Sequence, residues 1–284
     1  MTSILSIQSS VAYGHVGNSA ATFPLMRLGV EVWPVLTVHF SNHTGYGQWR
    51  GPLLAAAEVA EVIRGIDDRG VLARCDAVLS GYQGGPDVGA VILDAVDLVK
   101  RRNPAAIYCC DPVMGDVGRG FFVRPGIPEL MRDRVVPAAQ IVTPNQFELE
   151  FLTGRSTETP EDLLAAARLL RGTGPDIVLV TSAVHSATAP DRLEMIAVDA
   201  DGAWAVSTPR LPQVFTGAGD LTAATFLAHV LRSADLADAL ARTAAIVHGV
   251  LKATADSGEA ELQLVAAQQE IVCPTMRFDV RQLS

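Results

Sequence analysis

The sequence predicts an α/β protein of three layers, α/β/α, with a mostly parallel central sheet and an antiparallel edge. Short apolar runs alternate with longer helical patterns through most of the 284 residues, the rhythm of strands joined by helical crossovers. Late in that alternation two strand-like runs flank Asp201-Gly202, a strong hairpin signal that places an antiparallel edge beside the parallel strands. No stretch reads as a linker, repeat or low-complexity segment, so residues 1–284 are expected to form a single domain.

Taken in order, residues 3–8 read as a buried strand, 19–28 as a helix, 31–38 as a strand and 53–64 as a helix. A strand at 77–80, a helix at 88–101 and a strand at 106–110 continue the pattern, with adjacent Cys109 and Cys110 pointing to opposite faces of the last. A helix near 128–135, a strand at 140–142, helices at 146–152 and 160–171 and an apolar strand at 177–181 follow. After the hairpin within 193–208, residues 217–271 carry three helical patterns, punctuated by Ser233-Ala234-Asp235 and Asp256-Ser257-Gly258.

The chain is 49% hydrophobic and only 19% charged, which suits a large core and excludes disorder. Acidic residues number 31 against 22 basic, a net charge of -9, which argues against non-specific binding to nucleic acid or anionic membrane and favours a small-molecule ligand. The charge of a phosphorylated ligand must then be met locally, by backbone N–H groups, a metal or a few arginines. The only lysines, Lys100 and Lys252, fall within helical patterns, so the glycine loop followed by Lys-Ser or Lys-Thr of P-loop enzymes is absent. Cys75, Cys109, Cys110 and Cys273 have no metal-ligand spacing and read as buried thiols of a reducing compartment. No basic region precedes the apolar run of the N-terminus, and no stretch approaches the ~20 apolar residues of a membrane span, so a cytoplasmic protein is expected.

Ligands of such sheets bind beyond the carboxyl ends of the strands, and the residues placed there are polar: Ser9, Asp111, Thr143-Pro144-Asn145 and Thr181-Ser182. The most pointed stretch is Thr216-Gly217-Ala218-Gly219-Asp220, where two glycines allow a tight turn and the following helix aims free N–H groups at whatever occupies it. Asp220 reads there either as a helix N-cap or as a base that takes a proton from a hydroxyl attacking a phosphate. Asp111 and Asp116 read either as turn residues or as acids of a magnesium site. Glu148, in a first helical turn where a carboxylate is favoured anyway, is predicted at the same sheet edge. Three loops, at 9–18, 40–47 and 80–85, mix rings and hydrogen-bonding groups in a way that suits a small aromatic substrate. His15 and His43 have no metal-ligand spacing.

These stretches resemble the pyridoxal kinases, a branch of the ribokinase-like superfamily of small-molecule kinases. The resemblance runs over nearly the whole chain, through Ser6-Ile7-Gln8-Ser9, Val16-Gly17-Asn18, Phe40-Ser41-Asn42-His43-Thr44-Gly45-Tyr46, Ser80-Gly81-Tyr82, Cys110-Asp111-Pro112-Val113-Met114-Gly115, Thr143-Pro144-Asn145-Gln146-Phe147-Glu148 and Gly217-Ala218-Gly219-Asp220. Gly-x-Gly-Asp alone marks the superfamily, whereas the Ser-Asn-His-Thr loop with Ser-Ile-Gln-Ser is much more specific to the vitamin B6 branch.

The resemblance implies ATP-dependent phosphorylation of the 5′-hydroxymethyl group of pyridoxal, with pyridoxine and pyridoxamine as further candidates. It implies Asp220 as base and the N–H groups of Gly217, Ala218 and Gly219 as the phosphoryl cradle, with Ser9, Val16, Thr44 and Tyr82 around the substrate. Asp111, Thr143, Asn145, Glu148, Thr181, Ser182 and Thr216 would line the nucleotide side, with Asp116 and Glu148 toward Mg²⁺ and a monovalent cation such as K⁺ left open. Residues 116–123 resemble a flap that excludes water, and a homodimer is implied. Ala218 stands where a threonine or valine is common, and Phe122 where some relatives carry a tyrosine. The alternatives are a hydroxymethylpyrimidine kinase and a non-catalytic pyridoxal binder.

Overall fold

The alternating pattern is realised as one large sheet covered on both faces in the computed structural model, which describes residues 1–233 and 235–283. Ala234, in the predicted break between two helices, and Ser284 lie outside the described residues. The first half of the chain contains β1 (Ser3–Val11), α1 (Asn18–Arg27), β2 (Glu31–Phe40), α2 (Ala56–Asp67), β3 (Ala77–Ser80), α3 (Pro86–Arg102), β4 (Ile107–Cys110), β5 (Gly115–Asp116), β6 (Gly120–Phe121), α4 (Ile127–Leu130) and α5 (Val136–Ala138). It continues with β7 (Ile141–Val142), α6 (Gln146–Thr153), α7 (Pro160–Arg171), β8 (Ile177–Ala183), β9 (Arg192–Val198), β10 (Ala203–Pro209), α8 (Ala218–Val230), α9 (Leu236–Ser257), α10 (Gln268–Val272) and β11 (Val280–Leu283).

The sheet order is β11-β10-β9-β8-β7-β4-β3-β1-β2, and β5 pairs with β6 in a separate hairpin. From β2 to β8 the strands run parallel, and β9, β10 and β11 form the antiparallel edge. Strand alternation divides the interior into two cores. Leu5, Val78, Cys110 and Val178 face α2, α3, α6 and α7, whereas Ile4, Leu79, Cys109 and Leu179 face α1, α8 and α9. Cys109 and Cys110 thus lie on opposite faces as expected, both fully buried.

Several boundaries differ from the sequence expectation, each for a local reason. β1 and β8 run further than expected, so Ser9, Thr181 and Ser182 lie inside strand ends rather than after them. Both strands are irregular there, with register shifts between Gln8 and Ser10 and between Val180 and Ala183. The helix expected from residue 53 starts at Ala56 because Leu53 bridges Val38, while the Glu58 carboxylate accepts from Ala55 N at 2.9 Å. The helix expected near 128–135 is broken into α4, a π-helical turn at Met131–Val135 and α5, with Pro137 inside the last. β11, which closes the antiparallel edge on β10, was not expected.

Candidate active site

The carboxyl ends of β1, β4, β7 and β8 converge on the start of α8. Gly217, with φ 90°, is the N-cap residue of α8, and no side chain caps this helix. Asp220 is therefore not the N-cap: it sits three residues into the helix. Of the first-turn N–H groups, that of Ala218 donates to the Phe215 carbonyl at 3.4 Å and that of Asp220 meets its own carboxylate, while among the described residues the Gly219 N–H has no protein partner and can meet an anion. A left-handed glycine is required at 217 because an added Cβ would run into the His15 carbonyl, and Leu262 flanks the same spot. α8 is buried from Leu221 to His229 and mostly apolar there, with the Thr222 and Thr225 hydroxyls turned back onto helix carbonyls, which anchors the turn.

Partly buried Asp220 has its carboxyl pushed up to about 6, chiefly by removal from water; the backbone N–H groups of Gly17 and of Asp220 itself pull the other way. Gly17 in turn packs on Ser9, whose carbonyl and hydroxyl leave no room for a side chain there. Asp111 lies beneath the turn, with one oxygen 3.8 Å from where a Cβ on Gly219 would stand. Its carboxylate is buried and accepts from the Thr143 hydroxyl at 3.1 Å. Burial, then the negative charges of Glu148 and Asp220, raise it well above the ordinary carboxylate range. A buried carboxylate raised by its acidic neighbours is a place where positive charge would be favoured.

Glu148 is held differently. One of its oxygens accepts from Met114 N at 2.8 Å and Gly115 N at 3.4 Å, the other from Asn145 N at 3.0 Å. Asn145 returns the favour, its side-chain oxygen accepting from Glu148 N at 2.9 Å, so the pair forms a capping box at the start of α6. The Asn145 amide also donates to the Gly115 carbonyl at 2.8 Å. Glu148 thus ties α6 to the β5–β6 hairpin, and burial raises its carboxyl despite the three donors. Asp116, on that hairpin, accepts from Val117 N at 2.8 Å, the turn role open to it from sequence. Among the described residues no three His, Cys, Asp or Glu side chains form a metal cage.

Thr181 and Ser182, expected from the sequence on the nucleotide side, border one cleft with Ala218 and Gly219. Part of its apolar wall was not read from the sequence: Met195, Leu211, Phe215, Val247 and Leu251 come from β9, the 211–215 loop and α9. Their separation along the chain leaves no motif, although the aperiodic Leu211-Pro212-Gln213-Val214-Phe215 run before the glycine turn was a usable signal. Ser182 is the one non-glycine residue with positive φ among those described, at 53°. Thr216 lies in the turn ahead of α8. Tyr82 is partly buried after β3, its carbonyl accepting from the Thr37 hydroxyl at 2.7 Å. Thr44 is exposed in the short 3₁₀ turn Thr44–Tyr46, and Val16 sits on the loop that leads to Gly17. The β5–β6 hairpin places Phe121 edge-on to Phe147 and Phe151, each ring pair 5.0 Å apart, and Arg119 over Phe122.

A glycine turn at an uncapped helix start, beside a carboxylate and at the carboxyl edge of a doubly covered sheet, defines a small-molecule kinase of the α/β/α class. The family model described as phosphomethylpyrimidine kinase matches residues 74–264. The chain is 61% identical over 282 residues to pyridoxal kinase PdxY of Rubrobacter xylanophilus, covering 99% of this chain and 97% of that protein. It is 56% identical to pyridoxal kinase PdxY of Leifsonia xyli subsp. xyli, covering 99% of each. Among solved structures, pyridoxal kinase from Leishmania donovani in complex with ADP and pyridoxamine superposes with a TM-score of 0.94 at 27% identity, over 100% of both chains. The chain belongs to the pyridoxal kinase family.

Proposed function

We propose that this protein transfers the γ-phosphoryl group of ATP to the 5′-hydroxymethyl group of pyridoxal, with pyridoxine and pyridoxamine as further acceptors. The observation that carries the reading is the placement of Asp220 in the first turn of an uncapped α8, above buried Asp111 and beside Gly17. Whole-length identity to named pyridoxal kinases supports the choice of acceptor.

In this reading Asp220 takes the proton of the attacking hydroxyl, a task suited to a carboxyl raised toward neutrality. The N–H groups of Gly217, Ala218 and Gly219 receive the negative charge that shifts onto the transferring group. Ala218 in place of threonine or valine leaves that backbone cradle intact. Ser9, Val16, Thr44 and Tyr82 hold the ring of the acceptor. Thr143, Asn145, Thr181, Ser182 and Thr216 lie along the nucleotide, whose base enters the apolar cleft of Met195, Leu211, Phe215, Val247 and Leu251. The β5–β6 hairpin covers the reacting groups and keeps water out.

The acidic donors fit Mg²⁺, which is commonly held by one or two carboxylates together with phosphate oxygens and retained water. Asp111 is the leading protein ligand on this account because its carboxylate has only the Thr143 hydroxyl as a hydrogen-bond partner among the described residues. Glu148, with Asp116 beside it, supports the site from behind. When bound, the ion neutralises phosphate charge and makes the leaving group better. A homodimer in the cytoplasm completes the proposal; among the described residues no helix is long and apolar enough to cross a membrane.

The test is turnover of ATP with each B6 vitamer and with hydroxymethylpyrimidine, compared by kcat/KM. Higher efficiency on the pyrimidine would replace the acceptor proposed here, and tight pyridoxal binding without ADP formation would replace the enzyme by a binder.

A further inference from the structure

Glu261 is a buried acid that the phosphoryl-transfer machinery leaves unexplained. It lies in the irregular segment between α9 and α10 and is only 6% exposed. One oxygen accepts from His15 N at 3.0 Å. The other accepts from the Tyr46 hydroxyl at 2.8 Å and stands 3.1 Å from His43 Nε2. His43 Nδ1 accepts from Gly45 N at 3.1 Å, so the proton of the neutral ring resides on Nε2, toward the carboxylate. Gly14, with φ 91°, passes so close to the carboxylate that a Cβ there would overlap it.

Among the described residues, every partner of the Glu261 carboxylate thus comes from two loops: the backbone N–H of His15 from one, the His43 and Tyr46 side chains from the other. A carboxylate out of water is stable only when its oxygens are met by donors, and here those donors are in place only when both loops are. The next residue, fully buried Leu262, packs beside Gly217, whose other neighbour is the His15 carbonyl. The Tyr46 phenol, pushed up to about 12 mainly by its bond to Glu261, remains a donor across the physiological range.

We propose that Glu261 is a positioning residue that latches the two substrate loops together and to the phosphoryl cradle, fixing Val16 and Thr44 for the acceptor. This rests on the pyridoxal-kinase reading for the identity of the acceptor, but the latch itself is a property of the loops.

The experiment compares wild type with Glu261→Gln and Tyr46→Phe by steady-state kinetics and by amide hydrogen exchange on the full-length protein. Glu261→Gln replaces an acceptor by a donor facing donors, so KM for pyridoxal should rise about tenfold or more while KM for ATP stays within about twofold. Amides of residues 13–17 and 43–47 should exchange at least about tenfold faster, with α8 and the sheet unchanged. Tyr46→Phe should produce the same pattern more weakly, and combining the two should add little. Equal rises in both KM values, or unchanged exchange in the two loops, would overturn the latch. Absence of pyridoxal turnover in wild type would instead strike the functional reading, and the exchange measurement would still decide the latch.

Discussion

The Cα of Gly217 faces the carbonyl of His15 so closely that no side chain can stand between them. The contact joins the glycine turn at the start of α8 to the loop around His15, the proposed phosphoryl cradle and first substrate loop, and it explains why the turn before α8 must be glycine at this position. Gly217→Ala combines a strained left-handed backbone with a steric overlap. It should lose at least about 2 kcal/mol of stability and most of its turnover, read by thermal melting and by a coupled ADP assay. Retention of both would show that the two loops can part freely.

Asp220 links pH to rate and to stability with opposite signs. As a base it must be deprotonated, so kcat/KM should climb with pH through about 6 and level off above it. For stability, its folded-state pKa lies above the ordinary carboxylate value, so the charged form is disfavoured on folding. That destabilisation is fully present above the folded pKa and vanishes below the unfolded one. Asp220→Asn should therefore be more stable than wild type at pH 8, by roughly 1 kcal/mol after allowance for partial solvent access, and no more stable at pH 3. Denaturant titrations at the two pH values check this.

Glu148 serves the fold before it serves any cation. Removing its carboxylate leaves the N–H groups of Met114, Gly115 and Asn145 without their acceptor in a buried place. Glu148→Ala should cost about 2–4 kcal/mol in metal-free protein, measured by urea denaturation with chelator present. A loss seen only with Mg²⁺ and nucleotide would make Glu148 a ligand alone.

Metal removal should separate catalysis from folding. Because the described residues build no carboxylate cage of their own, chelation should abolish turnover yet move the melting temperature by less than about 1 °C. Restoring Mg²⁺ should restore the rate.

The strained backbone of Ser182 borders the cleft proposed for the nucleotide. Ser182→Gly should gain ~1 kcal/mol of stability by relieving the left-handed conformation, and it should raise KM for ATP without altering KM for pyridoxal. A lower KM for ATP would mean that the serine hinders the nucleotide.

The parallel strands and their crossovers were legible because apolar runs and helical periodicity are local signals. β3 and α7 occupy the residues read for them, and Cys109 and Cys110 separate the two cores. β11 was not legible because its residues Val280, Arg281, Gln282 and Leu283 are half-buried or exposed and carry no apolar run. The polar strand ends and the glycine turn were visible as motifs. The N-cap reading of Asp220 could be set aside only once the helix start was located at Gly217. Glu261 was out of reach for a different reason: its partner His15 lies 246 residues away, and no pattern along the chain reports a contact made by folding alone.

The most direct test of the account is a coupled assay of wild type and Asp220→Asn with ATP, Mg²⁺ and pyridoxal, following ADP and phosphorylated pyridoxal together. Wild type should form the two in equal amounts, and Asp220→Asn should turn over roughly 10²-fold or more slowly while still binding nucleotide. Undiminished turnover in Asp220→Asn, or ADP released by wild type without phosphorylated pyridoxal, would contradict it.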